Sequence, residues 1–334
     1  MAEFYDFNNK ENNIHAEGGE ALRPDELVQS QERQDQYESF NREEKSGKSR
    51  FSNGIFITCL VAFALMSLGQ LLGVGLEFIP GFDTASPAVQ TGIMYYEFIG
   101  IWLVFGLYYL ISGKDRPIAK ALGTRPRGNN LKMFLFGLIV FGFGLNAFCI
   151  LCAWLHKDIF IYFDRLEPLG LIFVFIGVLV QSGAEELVCR NFIYQRLRRC
   201  YKNPWVAILA NAILFALLHV GNPGVTVLAI IDIFCTGILY SMMVLYFDSI
   251  WCAIAAHTMW NFTQNIIFGL PNSGLVVPFS IFKLDAASAM DSFAYNVGFG
   301  VEGTIVAIGI QAVAILLLWI WGRKHAKPDY DVWA

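Results

Sequence analysis

Charge is scarce in this chain: of 334 residues, only 16% are charged while 55% are hydrophobic. Mean hydropathy is positive, a balance that soluble domains of this size rarely show. The seven cysteines (Cys59, Cys149, Cys152, Cys189, Cys200, Cys235, Cys252) are scattered along the chain, and the loops 79–89 and 269–300 hold none. They read as small packing residues rather than a disulfide or redox framework. The chain has no Gly-rich phosphate loop, no internal repeat and no nucleic-acid motif, so no nucleic-acid partner is expected. No short apolar core with a small-residue cleavage site precedes the first long apolar run. A removable signal peptide is therefore not expected, and that run should stay as an anchor.

What is present is apolar length. Mostly apolar windows occur near 54–78, 90–113, 132–155, 169–189, 204–220, 224–247, 250–268 and 301–322. Each is compared with the roughly 20 residues that cross a hydrocarbon core of about 30 Å. The expectation is an all-α polytopic transmembrane bundle of about eight spans, with the fifth and seventh the shortest. Lys and Arg collect before span one (Arg42, Lys45, Lys48, Arg50), after span two (Lys114, Arg116, Lys120, Arg125, Arg127), after span four (Arg196, Arg198, Arg199, Lys202) and after span eight (Arg323, Lys324, Lys327). The loops 79–89 and 269–300 hold only Lys283. With eight spans all the basic segments share one side, which the positive-inside rule makes cytoplasmic, together with both termini. Residues 1–50, rich in Asp, Glu, Gln and Asn, read as a disordered, solvated acidic tail. Residues 51–325 form the transmembrane domain and 326–334 a second cytoplasmic tail.

Ionisable groups within a bilayer are costly and usually face a protein interior or a water-filled cavity. Glu97 and Asp232 stand alone in spans two and six, and Glu302 begins span eight. The others gather in three spans. In span four, Glu186 and Arg190 are four apart and can pair on one helical face, while Glu185 points about 100° away without a local partner. Span five carries Phe215 and His219, also four apart. With a turn near Lys202, Glu185 lies 17 residues before it and His219 lies 17 after, so an antiparallel hairpin sets them level. Span seven carries a polar stripe of His257, Asn261 and Asn265, which must face other helices or water. His257 is only about 12 Å from its own turn near Asp248, against about 25 Å for Glu185. Both reach one level only if the hairpin of spans four and five extends about 13 Å beyond the membrane.

These three patterns, Glu185-Glu186-x-x-x-Arg190, Phe215-x-x-x-His219 and His257-x-x-x-Asn261, resemble in content and order the signatures of the CPBP family of intramembrane proteases. That family includes type II CAAX prenyl endopeptidases and bacteriocin-processing and self-immunity relatives. The resemblance covers roughly residues 170–265. It implies that Glu185 is the general base activating a water, that His219 holds or shares this water, and that His257 and Asn261 form an oxyanion pocket. Glu186 and Arg190, with Phe215 beside them, would be supporting residues. A carboxylate in a low-dielectric cleft suits this work, and donors aimed at an oxyanion are strongest where water is excluded. The partners implied are the bilayer and a membrane-associated peptide or protein; in a bacterium the location would be the cytoplasmic membrane.

Glu185, His219 and His257 also make a three-ligand zinc set with an open fourth position, and members of the family are often labelled metalloproteases. No HExxH motif accompanies them, and the same residues suffice without metal, so the reading leans metal-free with no cofactor required. Two other classes compete: a proton- or ion-coupled transporter using Glu97, Glu185, Asp232 and the two histidines, and a catalytically silent binding or immunity protein. A transporter would often show paired halves with broken helices, and no such symmetry is visible.

Overall fold

Each apolar run becomes a helix, and most begin where a side chain can satisfy the first free amides. The computed structural model describes residues 54–325 and 330–333. The acidic tail expected over 1–50 lies outside the described residues. The helices are α1 Ile55–Gly73, α2 Pro87–Tyr96, α3 Ile99–Ile111, α4 Leu131–Phe136, α5 Leu145–Leu155, α6 Pro168–Glu186, α7 Tyr194–Cys200, α8 Pro204–Leu218, α9 Val227–Phe247, α10 Ile250–Asn261 and α11 Ile305–His325. π-helical stretches join α4 to α5 (Gly137–Gly144) and α6 to α7 (Leu187–Ile193), and another extends α10 (Phe262–Ile267). Asn203, Thr226 and Ser249 accept hydrogen bonds from the amides of Trp205, Ala229 and Cys252, capping α8, α9 and α10. Pro at the first turn favours the starts of α6 and α8. α9 stops at Asp248, whose φ of 52° is left-handed, and the chain turns at once into α10.

Six continuous runs are long and apolar enough to cross a membrane: Ile55–Phe78, Pro87–Ile111, Leu131–Leu155, Pro168–Cys200, Val227–Phe247 and Ile305–His325. The chain is a multi-pass integral membrane protein. The two remaining expected spans are helical but different in kind. α8 has 15 residues, about 22 Å of helix against a core of about 30 Å. α10 and its π-helical extension bury nearly every residue, His257, Asn261, Gln264 and Asn265 included, so this segment is wrapped by protein rather than lipid. The fourth run, Pro168–Cys200, has 33 residues, about 50 Å, and continues past the apolar window at 169–189 into the basic segment.

The outer helices take the lipid. Only 17% of the apolar window of α1 is buried inside the protein, against 56% for Pro168–Cys200. Around α10 lie the π-helical stretch 137–144, α6 and α9, while α8 packs on α9, α1 on α3, α2 on α6 and α11 on α9. Small residues allow two of these contacts. A Cβ on Gly237 of α9 would fall 2.8 Å from Ala212 of α8, and one on Gly142 would fall 2.6 Å from the Cβ of Met259. At the end of the bundle away from the basic loops, β1 (Ile161–Phe163) pairs antiparallel with β2 (Phe282–Leu284), in register Tyr162↔Lys283. This ribbon and the irregular chain from Gly269 to Gly303 lie over the far ends of α6 and α10.

Candidate functional site

Glu186 and Arg190 form the pair that their spacing predicts: Nη1 donates to Oε1 over 2.9 Å, and both side chains are fully buried. The guanidinium also donates to the Gly237 carbonyl at 3.2 Å and lies 4.6 Å from the Phe215 ring centroid and 5.4 Å from that of Tyr240. A buried cation is tolerable when a carboxylate, a carbonyl and two aromatic faces surround it. Phe215 thereby gains a second role beyond its place in the motif: it walls Arg190 on one side and stands 4.9 Å from the His219 ring on another.

His257 reaches between the two carboxylates. Its Nδ1 lies 2.9 Å from Glu186 Oε1, and its Nε2 lies 3.7 Å from Glu185 Oε2. The first contact is a hydrogen bond, and the second is too long for one. Glu185 Oε2 is buried and has no hydrogen-bond partner. The His219 Nδ1 sits 2.8 Å from the Phe215 carbonyl. A carbonyl only accepts, so this nitrogen donates and the neutral ring presents its Nε2 as an acceptor.

Glu185 was expected to lack a local partner, and here the structure corrects the reading. Gln181, four residues earlier on the same face, donates from Nε2 to Glu185 Oε1. Its own Oε1 accepts from Asn261 Nδ2 at 3.0 Å. An amide at i−4 lies on the same helical face and marks a partner as well as a group at i+4 does.

Glu185, His219, His257, Asn261 and Phe215 all line one chamber of about 310 Å3. Glu186 and Arg190 stand behind its wall. α1 to α3 add Met66, Gln70, Met94 and Phe98, and the irregular chain adds Asn272, Ser273 and Glu302. None of these had been given a role, because nothing in their local sequence ties them to the motifs. Asn265, the third member of the span-seven stripe, does not line the chamber: it accepts from Tyr95 Oη at 2.8 Å and donates to the Leu270 and Leu275 carbonyls. Glu97 and Asp232 also lie off the chamber lining; Asp232 accepts from Gln311 of α11 at 3.0 Å. Among the described residues no three His, Cys, Asp or Glu side chains converge as a metal-binding set. The hydrogen bond of His257 Nδ1 to Glu186 leaves Nε2 turned toward Glu185, an arrangement that suits a water and a metal ion alike.

Fold and site together define a polytopic membrane protein whose helices enclose a chamber of carboxylate, imidazole and amide groups. Residues 167–263 match the family model of the Type II CAAX prenyl endopeptidase Rce1-like proteins, the family that the three signatures resemble. The match spans α6 to α10 and holds all seven signature residues, which ties this part of the chain to a family of proteases. No curated protein and no solved structure matches the chain.

Proposed function

We infer that the protein is an intramembrane endopeptidase that hydrolyses a peptide bond of a membrane-associated protein or peptide. The observation that carries this reading is the gap between Glu185 Oε2 and His257 Nε2, 3.7 Å wide, at a buried carboxylate oxygen with no partner. A water placed there can give its proton to Glu185 while its oxygen attacks the carbonyl carbon of the substrate. The Nε2 of His219, on the same chamber, helps to hold that water. As the carbonyl π electrons move to oxygen, the developing charge is met by the Asn261 amide and, when both its nitrogens carry protons, by His257 Nε2. Collapse of the intermediate breaks the C–N bond, and Glu185 returns the proton to the leaving amine. Glu186 and Arg190 hold His257 from behind. No nucleophilic Ser or Cys and no metal take part in these steps.

By the positive-inside rule the basic loops favour a cut near the cytoplasmic face with both termini on that side; in a bacterium the membrane would be the cytoplasmic one. The test is cleavage of a peptide library by the purified full-length protein beside Glu185→Ala, each with and without a chelator. The expected result is cleavage by wild type alone, unaffected by the chelator. If Glu185→Ala cuts as well as wild type, or nothing is cut at all, the reading fails; loss of cutting on chelation instead makes Glu185, His219 and His257 metal ligands.

A further inference from the structure

Asn261 must present N–H rather than C=O to the chamber if it is to stabilise an oxyanion, and an asparagine side chain has no intrinsic preference between the two. Its carbonyl oxygen accepts from Asn272 Nδ2 at 3.3 Å, and its own Nδ2 donates to Gln181 Oε1 at 3.0 Å. The amide is therefore one link in a chain that runs from Glu302 through Asn272, Asn261 and Gln181 to Glu185. Both ends of this chain are carboxylates, which when ionised accept and never donate. At one end Glu185 requires the NH2 of Gln181, which turns the Gln181 oxygen toward Asn261. At the other end Glu302 Oε1 requires the NH2 of Asn272, 3.4 Å away, whose second hydrogen then serves the Asn261 oxygen. The two ends impose the same polarity on Asn261, and one of its two hydrogens is left without a protein acceptor.

Glu302 is well placed to impose it. The side chain is buried, and its oxygens also take the Trp260 indole N–H at 2.7 Å, the Ser273 amide at 2.6 Å and the Ser273 hydroxyl at 2.9 Å. All these donors point at the carboxylate, which holds it rigid. Resting on the endopeptidase reading, we propose that Glu302, acting through Asn272, is a positioning residue that fixes the amide of Asn261 with its donor toward the scissile carbonyl. Both lie outside the segment that matches the protease family.

The test is Asn272→Leu in the full-length protein, which cuts the link while leaving the Trp260 and Ser273 bonds to Glu302 in place; Glu302→Met is the second variant. The expected result is a fall in kcat of at least about tenfold, with KM within about twofold of wild type and the melting temperature of Asn272→Leu little changed. Added to Asn261→Ala, Asn272→Leu should then slow turnover no further, because the amide it orients is gone. Unchanged kcat in Asn272→Leu, a change in KM alone, or an equal further loss in the Asn261→Ala background overturns the proposal while the protease reading stands. If wild type cuts nothing, the protease reading falls first and the proposal falls with it.

Discussion

The chamber has two walls that hold their polar groups in different ways. On one side, Glu185 on α6 and His257 and Asn261 on α10 are aimed by helical geometry, and His219 caps the end of α8. On the other side Asn272, Ser273 and Glu302 stand on irregular chain, with Ser273 at φ 47° and Gly300 and Gly303 also at positive φ. There one carboxylate collects the Ser273 amide together with three side-chain donors, from Trp260, Asn272 and Ser273. Irregular backbone at this depth is tolerable because protein covers it. On the proposed reading, the helical wall supplies the chemistry and the irregular wall orients what the helices present.

The largest expected effect lies on the helical wall. Glu185→Gln keeps the shape and the contact with Gln181 but removes the base, and peptide cleavage should fall by roughly 10²–10⁴-fold, with thermal unfolding little altered. Next comes Arg190→Ala. It strands the buried Glu186 carboxylate and should cost about 3–5 kcal/mol of stability, read from unfolding in detergent. If that loss is absent, the helical wall does not depend on its ion pair, and the contrast weakens. On the irregular wall, Ser273→Ala removes one of several donors to Glu302, and a bond to a charged group is valued at about 1.5–3 kcal/mol. The loss should fall at or below that range, since the Ser273 amide remains.

The smallest effect belongs to the ribbon beyond the chamber. The side chain of Arg165, hydrogen-bonded to Asp164, and then that of Lys283 hold the Asp164 carboxyl below its ordinary range. A carboxyl with a depressed folded value contributes stability at pH above its unfolded value and loses it as pH falls through the folded one. Amides of Ile161–Phe163 should therefore exchange faster only below about pH 4, while those of α10 should not change. Protection of the strand that is flat with pH through that window would remove the pairs from the account of the ribbon.

Much of the helical wall was legible because helical periodicity makes distant chemistry local. The Glu186–Arg190 pair follows from a spacing of four, and the level of His219 with Glu185 follows from equal distances to a turn. The depth of His257 called for the hairpin of the fourth and fifth spans to reach beyond the membrane, since rise per residue is fixed. Gln181 was equally legible at i−4 and was missed for want of a charge. The irregular wall offered no such period: Asn272 and Glu302 are 30 residues apart, and nothing in the intervening chain announces that they meet. Asn265 shares the stripe of His257 and Asn261 but bonds to Tyr95 and to the Leu270 and Leu275 carbonyls instead of facing the chamber.

The sequence by itself determined the apolar helices and the three motifs whose residues the fold gathers at one chamber, because hydropathy, helical period and i,i+4 spacing are properties of short stretches. Only the tertiary structure decided that α10 is a protein-wrapped core helix and that His257 stands between two carboxylates. It alone decided, too, that a glutamate just before the last helix reaches Asn261 through an asparagine. Those facts depend on closing long loops around a shared chamber, where burial forces every polar group to find a partner, and the nearest partner in space is rarely the nearest in the chain.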